Sequence, residues 1–346
     1  MTFEIIDPTV SPQWLKLIGN SANATVFHHP GWIQALASTY HFKPLAIVAL
    51  DETSESVGGI PFMEVKSFLT GKRLVSLPFT DYCLPLYGRD QVLRAMESQL
   101  LTMREERNCR YVELRYAGAG EQFREGKRYV WHRLALDAPE DAIFKKFDQK
   151  SVQWGIKKAL KMGVQVMRGT DESLIREFIR LNAMTRKKHG IFPQPDKFFE
   201  SIRRNLMEKD LGFIGAAVVE GKVVAASIFL HFNGKTFYKY NASDPRYYRY
   251  QPNNLILWDA IQWAIKARME IFDFGRSDSE NEGLVEFKRR WATTESELWY
   301  SFFPSSMSIT EGFSDSWKTN AVRVVAQIVP SRFARTIGGI IYRHVG

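Results

Sequence analysis

One order of secondary-structure signals occurs twice in this chain, and that repetition limits the folds open to it. GWIQALASTY (31–40) has helical spacing, PLAIVAL (44–50) and VGGIPFMEV (57–65) read as strands joined by the acidic turn DETSES, and RLVSLPF (73–79) reads as a third strand. A helix, QVLRAMESQLLTMREER (91–107), and a strand, RYVELRY (110–116), follow, and WHRLALD (131–137) is a further strand. In the second half SLIREFIRLNAMTRKK (173–188) and DKFFESIRRNLME (196–208) are helical, and GFIGAAVV (212–219), VVAASIFLHF (223–232) and KTFYKYNA (235–242) are strands. Pro252 suits the first position of a helix running to about Met269, and EIFDFG (270–275) reads as a buried strand ending at a glycine. Leu45 matches Phe213, 168 residues on, and Val112 matches Ile271, 159 residues on. A period this long signals a duplicated domain rather than a solenoid.

The 346 residues suit two domains. The expected fold is α/β with mixed sheets: residues 1–145 and 146–310 as two tandem GNAT-like acyltransferase domains packed across a cleft, and 311–346 as a basic helical tail. A hairpin, a further strand and a crossover helix are the topology of that domain type, and clefts between domains are usual ligand sites. With 45% hydrophobic residues, disordered and collagen-like classes are excluded. Cys83 and Cys109, outside any CxxC, form neither a disulfide framework nor a zinc site. The opening MTFEIIDPTVSP lacks the pattern of a signal peptide, and no stretch has the roughly 20 apolar residues of a membrane span. The expected location is cytoplasmic, with the inner membrane face as a peripheral station.

The net charge is +9, which favours anionic partners. Residues 145–168 carry seven Lys or Arg against Asp148, and 313–346 carry five against Asp315. The tail alternates apolar and cationic residues over two short helices. Such a tail can lie on an anionic membrane or simply cover a domain.

Specific residues then carry a family resemblance. VFHHPGWIQAL (26–36), GGIPF (58–62), RLVSLPFTDYCLPLY (73–87), VELR (112–115), GIKKALKMGVQV (155–166), LNAMTRKKHGIFPQP (181–195), VVAASIFL (223–230), YNASD (240–244), PNNLILWDAIQWA (252–264), FDFGRS (272–277) and GLVEFKRRWATTESELWY (283–300) stand in one order. Through them the chain resembles the FemA/FemB/FemX-like proteins, in the branch with a BioF2-like GNAT-type acetyltransferase domain. The resemblance implies two GNAT-type domains and N-acyl transfer. Characterised members move an aminoacyl group from charged transfer RNA to an amine of a peptidoglycan precursor, and others lie beside exopolysaccharide genes. It also places the Lys of the FK pair, Lys288, at the active cleft. Ala292 stands where the family usually has Gly after the Trp, which puts the following turn in question.

An amine attacking an acyl ester or thioester needs orientation, removal of a proton and stabilisation of an oxyanion. No Ser-His-Asp spacing or nucleophile elbow is present, so direct transfer is expected. Lys288, flanked by Phe287 and Trp291 as expected substrate contacts, can pair with a phosphate or the oxyanion; the plainer reading is a surface Lys. Asp273 and Arg276 end a strand where α/β sheets bind ligands: Asp273 can orient the amine or hold Arg276, and Arg276 can fork onto an anion. Tyr240, Asp244 and Arg246 follow the third strand as site-lining candidates, against a plain turn at Asp244-Pro245. Asp81 can accept the amine's proton, or be a turn Asp, and Arg115 can bind carboxylate or phosphate. Trp154, Lys157 and Lys158 share a helical face that can grip phosphate or stay solvated, and Arg186 is kept as a ligand from a cationic helix end.

The stretch 244–255 has no glycine, which disfavours the usual pyrophosphate loop of acyl-CoA enzymes, and Asn253 and Asn254 read as helix caps. The seven His have no metal-ligand spacing, so no metal is expected, and His28-His29 cap or pack. The expected function is a FemAB-like N-acyltransferase acting on a cell-envelope precursor amine, with aminoacyl-tRNA or acyl-CoA as donor and no tightly bound cofactor. The alternatives are acyl-CoA-dependent N-acetylation of a sugar or peptide, and a catalytically degenerate binding module.

Overall fold

The computed structural model describes residues 1–68, 71–304, 320–329 and 331–345. The chain divides into two compact units: Met1–Arg128 with Leu298–Lys318 and Gly339–Gly346, and Tyr129–Glu297 with Thr319–Gly338.

The first unit is built on a sheet of β1 (Thr2–Ile6), β2 (Lys43–Leu50), β3 (Ser56–Ser67), β4 (Gly71–Val75), β6 (Tyr111–Leu114) and β13 (Thr294–Phe303), in that spatial order. A two-residue β5 (Leu86–Tyr87) pairs with β3 at Gly58 and Gly59. Neighbours are antiparallel except β4 and β6, which α3 (Asp90–Glu106) joins as a crossover. Helix α3 presents Leu93, Met96, Leu100 and Met103, at helical spacing, to Ile47, Ile60, Phe62, Leu74 and Val112. Helix α1 (Pro12–Asn20), capped by the Ser11 hydroxyl, and α2 (Pro30–Tyr40) complete the unit. A Cβ at Gly59 would sit 2.6–2.7 Å from Leu17 and Trp14, so the close approach of α1 to β3 requires glycine there.

The second unit repeats the plan with β8 (Gln165–Gly169), β9 (Gly212–Val219), β10 (Lys222–Phe232), β11 (Lys235–Ser243), β12 (Ile271–Asp278) and β7 (Arg124–Ala135). Here β11 and β12 form the parallel pair and α8 (Pro252–Lys266) is the crossover, packing Ile256, Leu257, Ala260 and Ile261 with Phe229, Phe272 and Phe274. Helices α4 (Glu140–Lys146), α5 (Trp154–Lys161), α6 (Glu172–Lys188), α7 (Asp196–Asn205) and α9 (Glu282–Arg289) also belong to it. The duplication read from the sequence is therefore a duplication of sheet topology.

Two features differ from the sequence reading. A short strand, β1 or β8, precedes each predicted set. The sixth strand of each sheet is exchanged: β7 follows the first set in the chain yet pairs with β12, and β13 follows the second set yet pairs with β6. The units accordingly divide at Arg128/Tyr129 and Glu297/Leu298 rather than at 145/146 and 310/311. The strand expected over 73–79 stops at Val75, because Leu77 and Phe79 adopt left-handed φ values of 54° and 61°. Of the tail, Asn320–Ile328 and Ser331–Val345 are helices, while 311–319 lie outside the described residues. Among the described residues no helix is long and apolar enough to cross a membrane.

Candidate active site

Strands β11 and β12 stay in register from Lys235↔Ile271 to Phe237↔Asp273, and beyond that β12 bonds only to β7. Parallel strands that part at their carboxyl ends leave a crevice of the kind that binds ligands in α/β sheets. At this point β12 carries a bulge: Asp273 pairs with Arg133 and Gly275 with His132, leaving Phe274 as the extra residue. Gly275 sits at φ 70°, which a glycine adopts without strain.

The Asp273 carboxylate fixes the bulge. It accepts the Gly275 amide at 2.6 Å and the Trp131 indole N–H at 2.9 and 3.1 Å, and is almost wholly buried. Asp273, expected to orient an amine or hold Arg276, thus ties β12 to β7. Arg276 lies over the Tyr129 ring at 3.8 Å.

Lys288 lies on α9, whose first turn the Asn281 side chain caps. Its Nζ donates to the carbonyls of Gly275 at 3.0 Å and Arg276 at 2.9 Å, and the residue is only 4% exposed. It is therefore not a surface lysine. The two carbonyls orient the ammonium without neutralising it. Phe287 and Trp291, expected to contact substrate, instead join the core behind Lys288. Trp291 is fully buried, with ring centroids 5.1 Å from Phe147 and 6.0 Å from Phe274. Ala292 holds φ 56°, so the turn after the Trp keeps the geometry that glycine favours.

The sequence reading missed His132, opposite Gly275 on β7. It is fully buried; its Nδ1 lies 3.3 Å from Thr293 Oγ1, which in turn donates to the Lys288 carbonyl, and its Nε2 has no hydrogen-bond partner among the described residues. Burial, with the positive charge of Lys288 adding to it, pulls its pKa down to about 4, so the imidazole is neutral at pH 7. The only signal was a single His inside an apolar strand.

The remaining candidates lie outside this cluster. The buried Asp244 carboxylate caps the turn Pro245–Tyr250 and binds Arg246 through Nε and Nη2, which holds its pKa below the usual range. The turn reading of Asp244-Pro245 therefore holds. Tyr240, on β11 beyond the residues paired with β12, packs edge-on against Phe198 and Phe199 of α7. Lys158 Nζ stands 4.6 Å over the half-exposed Trp154 ring, and Arg186 ends α6 half-buried. Asn253 and Asn254 are not caps: Asn253 bridges Asn241 and Ser243, and Asn254 donates to the Ser151 carbonyl. A Cβ at Gly155 would lie 2.3 Å from Asn254 Nδ2, so the start of α5 covers the first turn of α8.

In the first unit, Arg115 donates to the Thr80 carbonyl at 2.8 Å, pairs with Glu113 at 3.1 Å and lies over the Tyr300 ring. These bonds turn the group inward and make it a brace rather than an anion receptor. Asp81 is half-buried on the loop after β4, and its carbonyl accepts the Tyr300 hydroxyl at 2.7 Å. Among the described residues no cluster of three or more His, Cys, Asp or Glu side chains is placed to hold a metal.

Comparison with known proteins places this arrangement. Residues 148–289 match the family model described as an acetyltransferase (GNAT) domain. A solved structure of FemX superposes with a TM-score of 0.69 over 88% of this chain and 97% of that one, at 15% identity. The UDP-N-acetylmuramoylpentapeptide-lysine N(6)-alanyltransferase of Weissella viridescens is 28% identical over 135 residues, covering 38% of this chain and 40% of that protein. The chain is similar to FemAB-like proteins. A second relative, the lipid II:glycine glycyltransferase of Staphylococcus epidermidis, is 21% identical over 55% of this chain and 62% of its own length. The chain thus spans 40% and 62% of the length of these two curated relatives. Its fold is that of two GNAT-like units in tandem, with the β12 bulge, Lys288 and His132 inside the second.

Proposed function

We propose that this chain is an N-acyltransferase that moves an aminoacyl group from charged transfer RNA directly to an amine of a cell-envelope precursor. The observation that carries the reading is the Lys288 ammonium, buried and held by the Gly275 and Arg276 carbonyls on the part of β12 that lies past its last residue paired with β11. The names of the alanyl- and glycyltransferase relatives support the aminoacyl cargo and the acceptor class.

In the reaction the acceptor nitrogen attacks the ester carbonyl, a C–N bond forms, and the carbonyl oxygen takes up negative charge. Lys288 stabilises that charge where water is excluded, the setting in which a fixed cation is most effective. Collapse breaks the C–O bond; the nitrogen gives up a proton and the ribose oxygen gains one. His132, neutral, keeps a second positive charge away from Lys288. Because charged transfer RNA is made in the cytoplasm, the reaction is assigned there.

The test is transfer of radiolabelled amino acid from bulk aminoacylated transfer RNA to a muramyl-pentapeptide precursor, with uncharged RNA and acetyl-CoA as competitors. Labelled, amide-linked product is expected, and Lys288→Ala should slow its formation ~100–1,000-fold. Acetyl-CoA-dependent product instead would move the chain to the acyl-CoA class, which the GNAT domain match favours and the covered start of α8 opposes. No product with either donor, and equal retention of charged and uncharged RNA, would leave a binding module.

A further inference from the structure

The two C-terminal helices pack by one face only. Helix Asn320–Ile328 buries Ala326 and rests on the end of α6, where Gln327 Nε2 meets the Lys188 carbonyl at 3.5 Å. The next helix, Ser331–Val345, buries Ala334 and Gly338 and is fastened by Arg335 to Asp196 at 2.7 Å. On the opposite face of both, apolar side chains are exposed to solvent. Val324, Val325, Ile328 and Phe333 each expose about half of their surface or more, Ile328 as much as 71%, and Ile340 continues the row seven residues after Phe333. Positions i, i+1 and i+4 on the first helix, and i and i+7 on the second, lie along common faces.

The surroundings of this face are cationic. Residues 320–345 contain four Arg and no Asp or Glu. Exposed Lys188 adjoins the first helix and stands 4.6 Å over the half-exposed Tyr248 ring, and exposed Arg249 lies over Tyr250. Arg343 is exposed one turn beyond Ile340. Solvated aliphatic side chains rimmed by lysine, arginine and tyrosine are the composition of a helix lying at a membrane interface.

We propose that this face docks peripherally on anionic phospholipid, with Val324, Val325, Ile328 and Phe333 in the acyl boundary and Lys188 and Arg343 on the head groups. Charge complementarity selects the occupant. A second copy of the chain would bring one cationic rim against another. Nucleic acid would gain from the cations but would leave Val324, Val325 and Ile328 without an apolar partner. The proposal does not depend on the acyl transfer argued above, since it concerns a surface that plays no part in that chemistry.

The test is cosedimentation of the full chain with sucrose-loaded vesicles of phosphatidylglycerol and phosphatidylcholine at 3:7, and of phosphatidylcholine alone. Binding to the anionic vesicles only is expected, weakened about tenfold or more by Val325→Asp/Ile328→Asp and by Lys188→Glu/Arg343→Glu. Both pairs change exposed side chains, and unchanged circular dichroism of either one suffices to read the result. Any of four results would overturn the proposal: absence of vesicle binding, equal binding to both vesicle types, binding that survives both double substitutions, or a concentration-dependent dimer or RNA complex that Val325→Asp/Ile328→Asp abolishes.

Discussion

The indole N–H of Trp131 donates to both carboxylate oxygens of Asp273, and the nearer of the two bonds measures 2.9 Å. The same carboxylate holds the Gly275 amide, so one buried side chain locks the β12 bulge against β7. Asp273→Ala leaves an indole N–H and a backbone N–H unsatisfied. It should cost about 2–4 kcal/mol of stability, read from urea unfolding, and Trp131→Phe should cost less because the Gly275 bond remains.

Lys288 bonds to the carbonyls that the bulge presents, so its charge is placed by backbone rather than by a flexible partner. Lys288→Ala should lower the rate of acyl transfer ~100–1,000-fold with the far-UV spectrum retained. Lys288→Arg should not restore it, because a planar fork does not match two carbonyls shaped around a compact ammonium.

His132 makes stability fall with acid. Its folded pKa, about 4, lies below its ordinary 6.5, so between these values the unfolded chain takes up a proton that the native chain refuses. Its contribution is intact above pH 6.5 and is lost as the pH falls, approaching roughly 3 kcal/mol near pH 4. Denaturant midpoints at pH 7, 5.5 and 4.5 should decline less steeply in His132→Gln than in the parent. Equal slopes would show that Lys288, Arg289 and Glu295 set no proton uptake through this ring.

Ala292 occupies left-handed backbone at φ 56°. A residue with a Cβ is strained there, so Ala292→Gly should stabilise the chain by about 0.5–1 kcal/mol once the greater freedom of the unfolded glycine is subtracted. Differential scanning calorimetry would show this as a raised Tm.

A Cβ on Gly338 would stand 2.0 Å from the Pro193 carbonyl oxygen. Gly338→Ala must therefore push the helix Ser331–Val345 off its seat, at a cost of about 1–3 kcal/mol. Faster amide exchange over 331–345 would report it.

Hairpins, crossover helices and the long period were legible because each buries a wide apolar face with a regular spacing. Strands β1 and β8 were not, since each is a mostly exposed edge strand whose alternation is weak. The exchange of β7 and β13 was hidden because pairing partners are chosen by geometry far along the chain, and WHRLALD reads the same beside either sheet. At the site, Lys288 was found through the FK pair, and Gly275 within a strand pattern was a fair signal of a bulge. What Asp273 and Trp291 do was not legible: a carboxylate serving a bulge and one serving a substrate have the same sequence. His132 escaped because one histidine in an apolar run carries no spacing.

The exchanged strands also set a clock on the ribosome. The edge of β6 near Leu114 is completed only by Ser301–Phe303, about 190 residues later. At ~5–20 residues per second that is on the order of 10–40 s. Through that interval the newborn first unit has α1–α3 and β1–β6 but an open edge of unpaired backbone, the feature that invites pairing with foreign chains. The second unit meets no such delay, because β7 has already been made when β12 emerges. The half of the molecule synthesised first is thus the half that closes its sheet last.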